Sequence, residues 1–250
     1  MYIKQTHSTS TLLREQYSDT LPHLYTIRTD FQTAGRGQAG NSWESEQGQN
    51  LLFSALLRYE KILAAEQWRL SMLVAVALWD ALAKHLPQNL LTIKWPNDIY
   101  FGDKKLVGIL IENSLSGQYV GYSIAGIGVN LNQTQWLSNA PNPISMKEIT
   151  GKEYDAEALM NDWILSIKSW EIASTEDIKA TYLTRLYRRE GWHPYVEREV
   201  SVAPTQIAQQ DIQGTFLAEF IGITEQGELI LRKENKEEKT YHFKQIRFVL

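Results

Sequence analysis

Segment 62–86 is the clearest helix candidate in this 250-residue chain, and it constrains the fold more than any other segment. It is rich in Ala and Leu, and Pro87 follows its predicted end. Its middle, from Met72 to Trp79, is apolar on every side, which is typical of a helix buried all round. We therefore expect this helix to pack against the buried side of a sheet.

Short apolar runs around this helix supply the strands. They predict strands at 24–28, 50–58, 91–95, 106–111 and 119–129, and turn residues separate the last three as in hairpins. Helices are predicted at 8–16 and in the region 155–190, with the second helix of that region at about 176–189. Hairpin-connected strands mixed with helices predict an α+β fold with a mixed or antiparallel sheet flanked by helices.

The pattern changes near residue 191. Short runs of strand composition follow at 199–202, 212–221, 228–232, 240–243 and 246–250, with turn signals such as Gln226-Gly227. Several short strands of this kind predict a small β-barrel. The expected organisation is a larger domain at 1–190 and a small barrel domain at 191–250.

Composition excludes several classes of function. The net charge of −4 argues against nucleic acid as the main partner, because phosphate binding needs clustered Lys and Arg. Without cysteine the chain has no disulfide and no Cys-ligated zinc, and its five histidines form no H-x-x-x-H pair. With no signal peptide and no apolar run of membrane-spanning length visible, we expect a cytoplasmic protein without a membrane partner.

The glycine-rich segment 32–43 (QTAGRGQAGNSW) is a candidate ligand-binding loop. Its glycines match G-x-G-x-x-G, but the residues that follow look like a loop, whereas a dinucleotide fingerprint requires a helix there. Glycines allow the backbone to approach an anion closely, Arg36 adds a forked cation, and Trp43 can stack on a flat ring. The alternative is a surface turn with an exposed Arg and a core Trp.

Segment 93–112 (IKWPNDIYFGDKKLVGILIE) places polar groups where strands begin and end. Lys94, Asn97 and Asp98 follow one strand, and Lys105 stands at the mouth of the next. A lysine there can neutralise a phosphate in transfer, and a nearby carboxylate can bind magnesium or orient the lysine. Gly108 would let a ligand lie flat against the strand. The alternative is an ordinary hairpin with solvated lysines.

Two weaker signals complete the set. Asn130 ends the run 126–130 (GIGVN), where its amide could read a base edge. Ser8, Thr9 and Ser10 stand at a predicted helix start, where N-capping explains them and a hydroxyl cluster for a small polar ligand is the alternative.

Taken in order, these segments resemble the biotin–protein ligases. That family carries Gly-Arg-Gly ending in Trp, then Lys-Trp-Pro-Asn-Asp, then Lys followed by a Gly-Ile-Leu strand, then Gly-x-Gly-x-Asn. This chain has each motif in the same order, at 35–43, 94–98, 105–110 and 126–130. The resemblance spans about 8–132 and continues weakly to the C-terminus, so it implies a biotin/lipoate ligase-like, class II synthetase-like catalytic domain with an SH3-like barrel.

On the biotin side, the resemblance implies roles for seven residues. The residues that match the groups hydrogen-bonding the ureido ring of biotin are Ser8, Thr9 and Gln32. Arg36 and the backbone around Gly35 match the clamp for the activated carboxylate and phosphate. Lys105 matches the catalytic lysine, with Arg36 beside it, and Gly108 matches the strand beneath biotin.

On the ATP side, Trp43 and Asn130 match the adenine contacts, with Arg36 again at the phosphate. Asn97 and Asp98 lie where the family holds phosphates, and Asp98 is the one candidate for binding Mg²⁺. The implied reaction joins biotin to ATP as biotinyl-5′-AMP and releases pyrophosphate. The biotinyl group then passes to a lysine of a biotin carboxyl carrier domain.

The chain departs from the family at three positions. Ser10 stands where Asn is frequent, and Gln38 and Asn41 stand where arginines are frequent. Because the family's arginines at positions 38 and 41 help to retain the charged intermediate, their absence implies weaker retention of biotinyl-5′-AMP. We also expect segment 35–45 to be mobile without ligand and ordered with it.

Two alternatives remain open. A lipoate–protein ligase would share the adenylation chemistry, although Gly-Arg-Gly and Lys-Trp-Pro-Asn-Asp favour biotin. A non-catalytic biotin-binding regulator would keep the pocket, although Arg36 and Lys105 together favour catalysis. Because the biotin-site segment begins by Ser8, we expect a monofunctional ligase without an N-terminal DNA-binding domain. Monomer and homodimer are both compatible with the sequence.

Overall fold

The computed structural model describes residues 1–38, 41–136, 142–203, 206–211 and 214–250. Within these ranges the helices and strands are, in chain order, β1 (Tyr2–Thr6), α1 (Thr9–Glu15), β2 (Thr26–Gln32), β3 (Leu51–Leu57), α2 (Trp68–Ala83), β4 (Leu91–Lys94), β5 (Asp98–Phe101), β6 (Lys104–Ser116), β7 (Tyr119–Val129), α3 (Met146–Thr150), α4 (Ala156–Trp170), α5 (Thr175–Thr184), β8 (Trp192–Ala203), β9 (Gln206–Asp211), β10 (Phe216–Ile223), β11 (Leu229–Lys233), β12 (Glu238–Tyr241) and β13 (Ile246–Phe248).

The first seven strands form one mixed sheet in the order β1-β2-β3-β7-β6-β5-β4. β1 runs parallel to β2, and each other neighbouring pair is antiparallel. The long β6–β7 hairpin lies at the centre, and in it Gly108 faces Gly128. The predicted α+β class and mixed sheet are confirmed.

Helix α2 is buried on every side, as its all-apolar middle predicts. Each residue from Met72 to Trp79 is buried, and the helix packs between sheet strands and helices α4 and α5. Trp163 of α4 reaches past it to Phe53 of β3, with ring centroids 5.1 Å apart. In the described part of the chain, no helix is long and apolar enough to cross a membrane.

The predicted start of that helix at residue 62 is wrong, because the helix begins at Trp68. The preceding residues pair with the β6–β7 hairpin instead. Val120 N–H donates to the carbonyl of Ile62, and Ala64 N–H donates to the carbonyl of Gln118. Backbone pairing across the hairpin thus takes these residues out of the helix, although their composition favours it.

Four of the described strands and helices lack a sequence prediction, and β9 of the C-terminal sheet is one of them. β1 is a half-polar edge strand, YIKQT, whose parallel pairing with β2 is long-range. β5 begins at Asp98, where the sequence predicts a turn, and its first residue faces Lys94 of β4. α3 is a single short helix with a capping box between Ser145 and Glu148.

The remaining strands form a second, antiparallel sheet in the order β12-β11-β10-β8-β13, with β9 paired to β8. This confirms a small C-terminal β structure of the predicted SH3-like kind, although residues 212–213 of one predicted strand lie outside the described residues. The sheet begins at Trp192. It is joined to the first part by the indole N–H of Trp95, which donates to the carbonyl of Gly227 at 2.9 Å. The division into domains at 190/191 stays a prediction.

Candidate active site

A cavity of about 150 Å³ lies on one face of the central hairpin, between the start of α1, the glycine loop and the start of β5. Its wall contains most of the residues singled out from the sequence: Ser8, Thr9, Gln32, Arg36, Trp43, Asp98, Lys105 and Gly108. Gly35, Asn97 and Asn130 lie next to this wall rather than in it. Segments separated by up to a hundred residues in sequence thus converge on one cavity.

The hydroxyl end of the cavity is built at the start of α1. Ser8 is the N-cap, and its side chain accepts from the backbone N–H of Thr11. Thr9 donates its backbone N–H to Oε1 of Gln32 at 2.8 Å. The capping interpretation therefore holds for Ser8, while the next residues take part in a polar cluster.

Ser54 of β3 completes that cluster and has no sequence prediction. Its hydroxyl lies 2.7 Å from Oγ1 of Thr9 and 3.0 Å from Oγ of Ser10, and Ser54 is fully buried. Buried hydroxyls require partners, so these three residues satisfy one another. A single Ser inside the apolar run LLFSALL is the signal that would have revealed it.

The floor of the cavity is a pair of glycines facing each other in the β6–β7 hairpin. A Cβ on Gly108 would lie 2.5 Å from Cζ3 of Trp43, and one on Gly128 would lie 2.6 Å from its Nε1. The indole therefore lies flat on bare backbone. Its buried N–H finds no acceptor among the described residues.

Lys105 closes the other end of the cavity. Its ammonium Nζ lies 2.6 Å from Oδ2 of Asp98, and both side chains are partly exposed. Lys94 stands beside the same carboxylate, with its Nζ 5.0 Å from the centre of the Tyr100 ring and 4.9 Å from that of Phe248. Burial lowers the pKa of Lys94 to about 8, against the opposing influence of Asp98.

Arg36 lines the cavity, and its guanidinium contacts Glu112 and Thr11. Nη2 lies 2.6 Å from Oε1 of Glu112, and Nη1 donates to Oγ1 of Thr11. Glu112 also has no sequence prediction. In this structure the two predicted catalytic cations therefore border one cavity, each held by its own carboxylate.

The position that arginine often occupies in the family is filled by Gln38. Its Nε2 lies 3.3 Å from the carbonyl oxygen of Ile109 and 3.4 Å from Oδ1 of Asn97. Asn97 is buried. Residues 39–40 of the predicted mobile segment 35–45 lie outside the described residues, and the mobility of that segment stays a prediction.

Asn130 is buried and already occupied. Its Nδ2 donates to the carbonyl oxygens of Lys105 at 3.2 Å and Ile144 at 3.1 Å. It therefore fixes the backbone at the start of β6, where the catalytic lysine is predicted. Its proposed contact with adenine stays a prediction.

For magnesium, the described residues offer little preformed structure. They contain no group of three or more His, Cys, Asp or Glu arranged to hold a metal ion. Mg²⁺ commonly takes one or two carboxylates and completes its shell with water and substrate phosphates. Asp98 fits that pattern as a single carboxylate at the cavity wall.

Known proteins resemble this chain in sequence. A family model described as "Biotin/lipoate A/B protein ligase family" matches residues 2–130. A bifunctional ligase/repressor BirA of Bacillus spizizenii is 28% identical over 244 residues, covering 94% of this chain and 69% of the relative. A biotin–[acetyl-CoA-carboxylase] ligase of Paracoccus denitrificans is 36% identical over 152 residues, covering 56% of this chain and 60% of the relative.

Solved structures share the fold. The biotin protein ligase of Aquifex aeolicus in complex with biotin and ATP superposes with a TM-score of 0.71 at 24% identity, covering 100% of this chain and 98% of that one. The Leishmania major enzyme in complex with biotinyl-5-AMP gives 0.68 at 18% identity, covering 96% and 97%. Since the family model matches more than half of its residues, the chain belongs to the biotin/lipoate A/B protein ligase family, as its four motifs indicate.

Proposed function

We propose that this chain is an ATP-dependent biotin–protein ligase that forms biotinyl-5′-AMP and passes the biotinyl group to a lysine of a biotin carboxyl carrier domain. The observation that carries the proposal is the convergence of the α1 hydroxyls, the facing glycines and Lys105 on one cavity. The relatives named above as biotin ligases support the same substrate.

The polar end of the cavity favours biotin over lipoate. The ureido ring of biotin presents two N–H donors and one carbonyl acceptor, whereas a dithiolane ring presents only weakly accepting sulfur atoms. Ser8, Thr9 and Gln32 carry donors and acceptors that a ureido ring satisfies. A dithiolane would cover the same groups without pairing them, which costs about 1–3 kcal/mol for each group left unpaired.

The first step needs positive charge at the α-phosphate. A carboxylate oxygen of biotin attacks the α-phosphorus of ATP, the bond to the bridging oxygen breaks, and pyrophosphate leaves. For this step Lys105 turns from Asp98 towards the phosphate oxygens. Its ammonium there stabilises the negative charge that builds up during the attack. Asn97 and Asp98 border the triphosphate, and Mg²⁺ bound at Asp98 would supply further charge neutralisation.

In the second step the carrier lysine, as a free amine, attacks the carbonyl carbon of the mixed anhydride. AMP leaves with the electrons of the broken C–O bond, and the proton of the amine passes to solvent. The chain's own contribution is positioning. Arg36 and the Gly35 backbone border the carboxylate. Gly108, with the Trp43 indole on it, forms the floor beneath biotin, and that indole and Asn130 extend towards adenine.

The test is incubation of the chain with biotin, Mg-ATP and a biotin carboxyl carrier domain, followed by intact mass measurement of the carrier. We expect a gain of one biotinyl group that requires ATP and does not occur with lipoate. The Lys105→Ala variant serves as the inactive control. An unmodified carrier, or modification by lipoate in preference to biotin, would contradict the proposal.

A further inference from the structure

Glu112 is the common partner of two arginines from different parts of the chain. Its Oε1 lies 2.6 Å from Nη2 of Arg36 and 2.9 Å from Nη2 of Arg14. The glycine loop, helix α1 and strand β6 therefore meet at one carboxylate oxygen. Charge-assisted hydrogen bonds of this length are among the stronger polar contacts in proteins.

The position of Glu112 on β6 explains which end of the cavity it serves. Alternation along a strand places Gly108, Leu110 and Glu112 on the same face, and the first two line the cavity. Glu112 lies seven positions after Lys105, roughly 23 Å along an extended strand. Glu112 thus lies beyond the hydroxyl end, far from the lysine.

The second carboxylate oxygen of Glu112, Oε2, makes no polar contact of its own in the described part of the chain, so the two arginines at Oε1 fix the position of this carboxylate. Oε2 is buried and accepts no hydrogen bond from the described residues. If Glu112 only filled space, an apolar side chain at this position would cost less free energy, because it would leave no carboxylate oxygen buried without a partner. Its retention here points to the anchoring of Arg36 and Arg14.

Arg36 transmits that anchoring to the glycine loop. The N–H of Gly37 donates to the carbonyl of Asn41, and the N–H of Trp43 donates to the carbonyl of Gly35, so the loop folds back on itself around Arg36. Trp43 at its end lies on Gly108 and Gly128. Fixing one side chain of this loop therefore fixes the indole on the cavity floor.

We infer that Glu112 is a positioning residue that acts through Arg36. It fastens the glycine loop to α1 and β6, and so holds the cavity in a form that receives biotin. The inference rests on the proposed function, and it extends that function to a residue outside the cavity wall. Its main effect falls on biotin binding, because Glu112 lies beyond the hydroxyl end of the cavity, away from Lys105.

The experiment combines a ligand-free readout with a kinetic one. Hydrogen exchange at the amides of Gly37 and Trp43 is measured without substrates in the wild type and in Glu112→Gln, and Glu153→Gln is the matched control because Glu153 forms an exposed ion pair with Lys147. We expect about tenfold faster exchange in E112Q alone, since the loop loses its anchor. Thermal unfolding confirms that each variant is folded.

The kinetic arm measures KM for biotin and kcat in E112Q, in Arg36→Met and in the double variant. In E112Q we expect KM to rise about tenfold with kcat changed less than about twofold. Arg36→Met should lose more, because its guanidinium is removed altogether, and the double variant should match Arg36→Met. Unchanged exchange at both amides would overturn the inference, as would additive effects of the two substitutions. A wild type that turns over no biotin refutes the proposed function instead, and the exchange measurement still decides whether Glu112 anchors the loop.

Discussion

Gly108 and Gly128 face each other across the β6–β7 hairpin, and the indole of Trp43 lies over both. This relationship explains why two glycines occur in otherwise apolar, buried strands. A side chain at either of these two positions would occupy the space that the indole ring fills. The pair thus makes a flat platform where a planar group can contact backbone directly.

Replacement of Gly128 by Ala tests that platform. The new methyl would lie 2.6 Å from Nε1 of Trp43, so either the ring or the strand must move. We expect a loss of about 1–3 kcal/mol in the free energy of unfolding, together with slower biotinylation. Gly121→Ala on the same strand is the control, because its nearest neighbour would lie 3.4 Å away. Equal stability of the two variants in chemical denaturation would show that Trp43 is not packed on this floor.

The role of Lys105 is tested against its neighbour in sequence. Lys105→Met should lower the rate of carrier biotinylation at least about a hundredfold, because the ammonium that stabilises the phosphate is gone. Lys104→Met should leave the rate within about twofold, since Lys104 is exposed and lies outside the cavity wall. Intact mass of the carrier over time measures both. If the two variants slow the reaction equally, the lysines act through general charge and not through position.

Ser54→Ala tests the buried hydroxyl cluster. The substitution leaves Thr9 and Ser10 without their shared partner, which we expect to cost about 1–2 kcal/mol of stability. The α1 start would also lose its fixed position, so we expect biotin affinity to fall about tenfold by calorimetry. Biotin affinity equal to that of the wild type would mean that the cluster serves stability alone.

The sequence predicted the cavity better than it predicted the fold around it. A local pattern reveals residues that lie where a helix or strand begins, or on one face of a strand. The residues that lie in the cavity wall for this reason are Ser8, Thr9, Lys105 and Gly108. The family resemblance, which the family model confirms, rests on the order of these motifs along the chain.

The residues that escaped prediction owe their position to long-range contacts. Ser54 and Glu112 carry no local signal beyond one polar residue in an apolar run, and their partners lie on α1 and in the glycine loop. β1 escaped because its half-polar sequence gains strand structure only from parallel pairing with β2. Helix α2 begins later than its composition predicts, because residues 62–64 pair with the β6–β7 hairpin.

The C-terminal sheet contains a carboxylate that makes stability depend on pH. Glu197 accepts from Lys233, Lys239 and Tyr241 at 2.7–2.8 Å. Burial would raise its pKa, but these hydrogen bonds lower the pKa of Glu197 to about 2, from 4.5. Because the folded-state pKa is the lower one, the stabilisation is present above pH 4.5 and is lost as pH falls towards 2.

We therefore expect the wild type to lose about 3 kcal/mol from this group between those pH values. The Glu197→Gln variant should be less stable at neutral pH and lack this part of the pH dependence. Chemical denaturation at several pH values from about 2 to 7 measures both. Parallel stability curves for the two proteins would contradict the assignment.

Retention of the adenylate is expected to be weak, and Gln38→Arg should strengthen it. In the described cavity wall the two cations Arg36 and Lys105 are each paired with a carboxylate, while Gln38 is neutral and faces Asn97. An added guanidinium there would pair with the phosphate of biotinyl-5′-AMP, and we expect release about tenfold slower. The half-life of the complex after rapid gel filtration measures it. A half-life unchanged by the substitution would place Gln38 away from the phosphate.

The central claim is that one cavity activates biotin with ATP, and isotope exchange between pyrophosphate and ATP tests it most directly. We expect exchange that begins only when biotin is added, that lipoate does not support, and that disappears in the Lys105→Met variant. Exchange that proceeds without biotin, or with lipoate in its place, or unchanged in that variant, would contradict it.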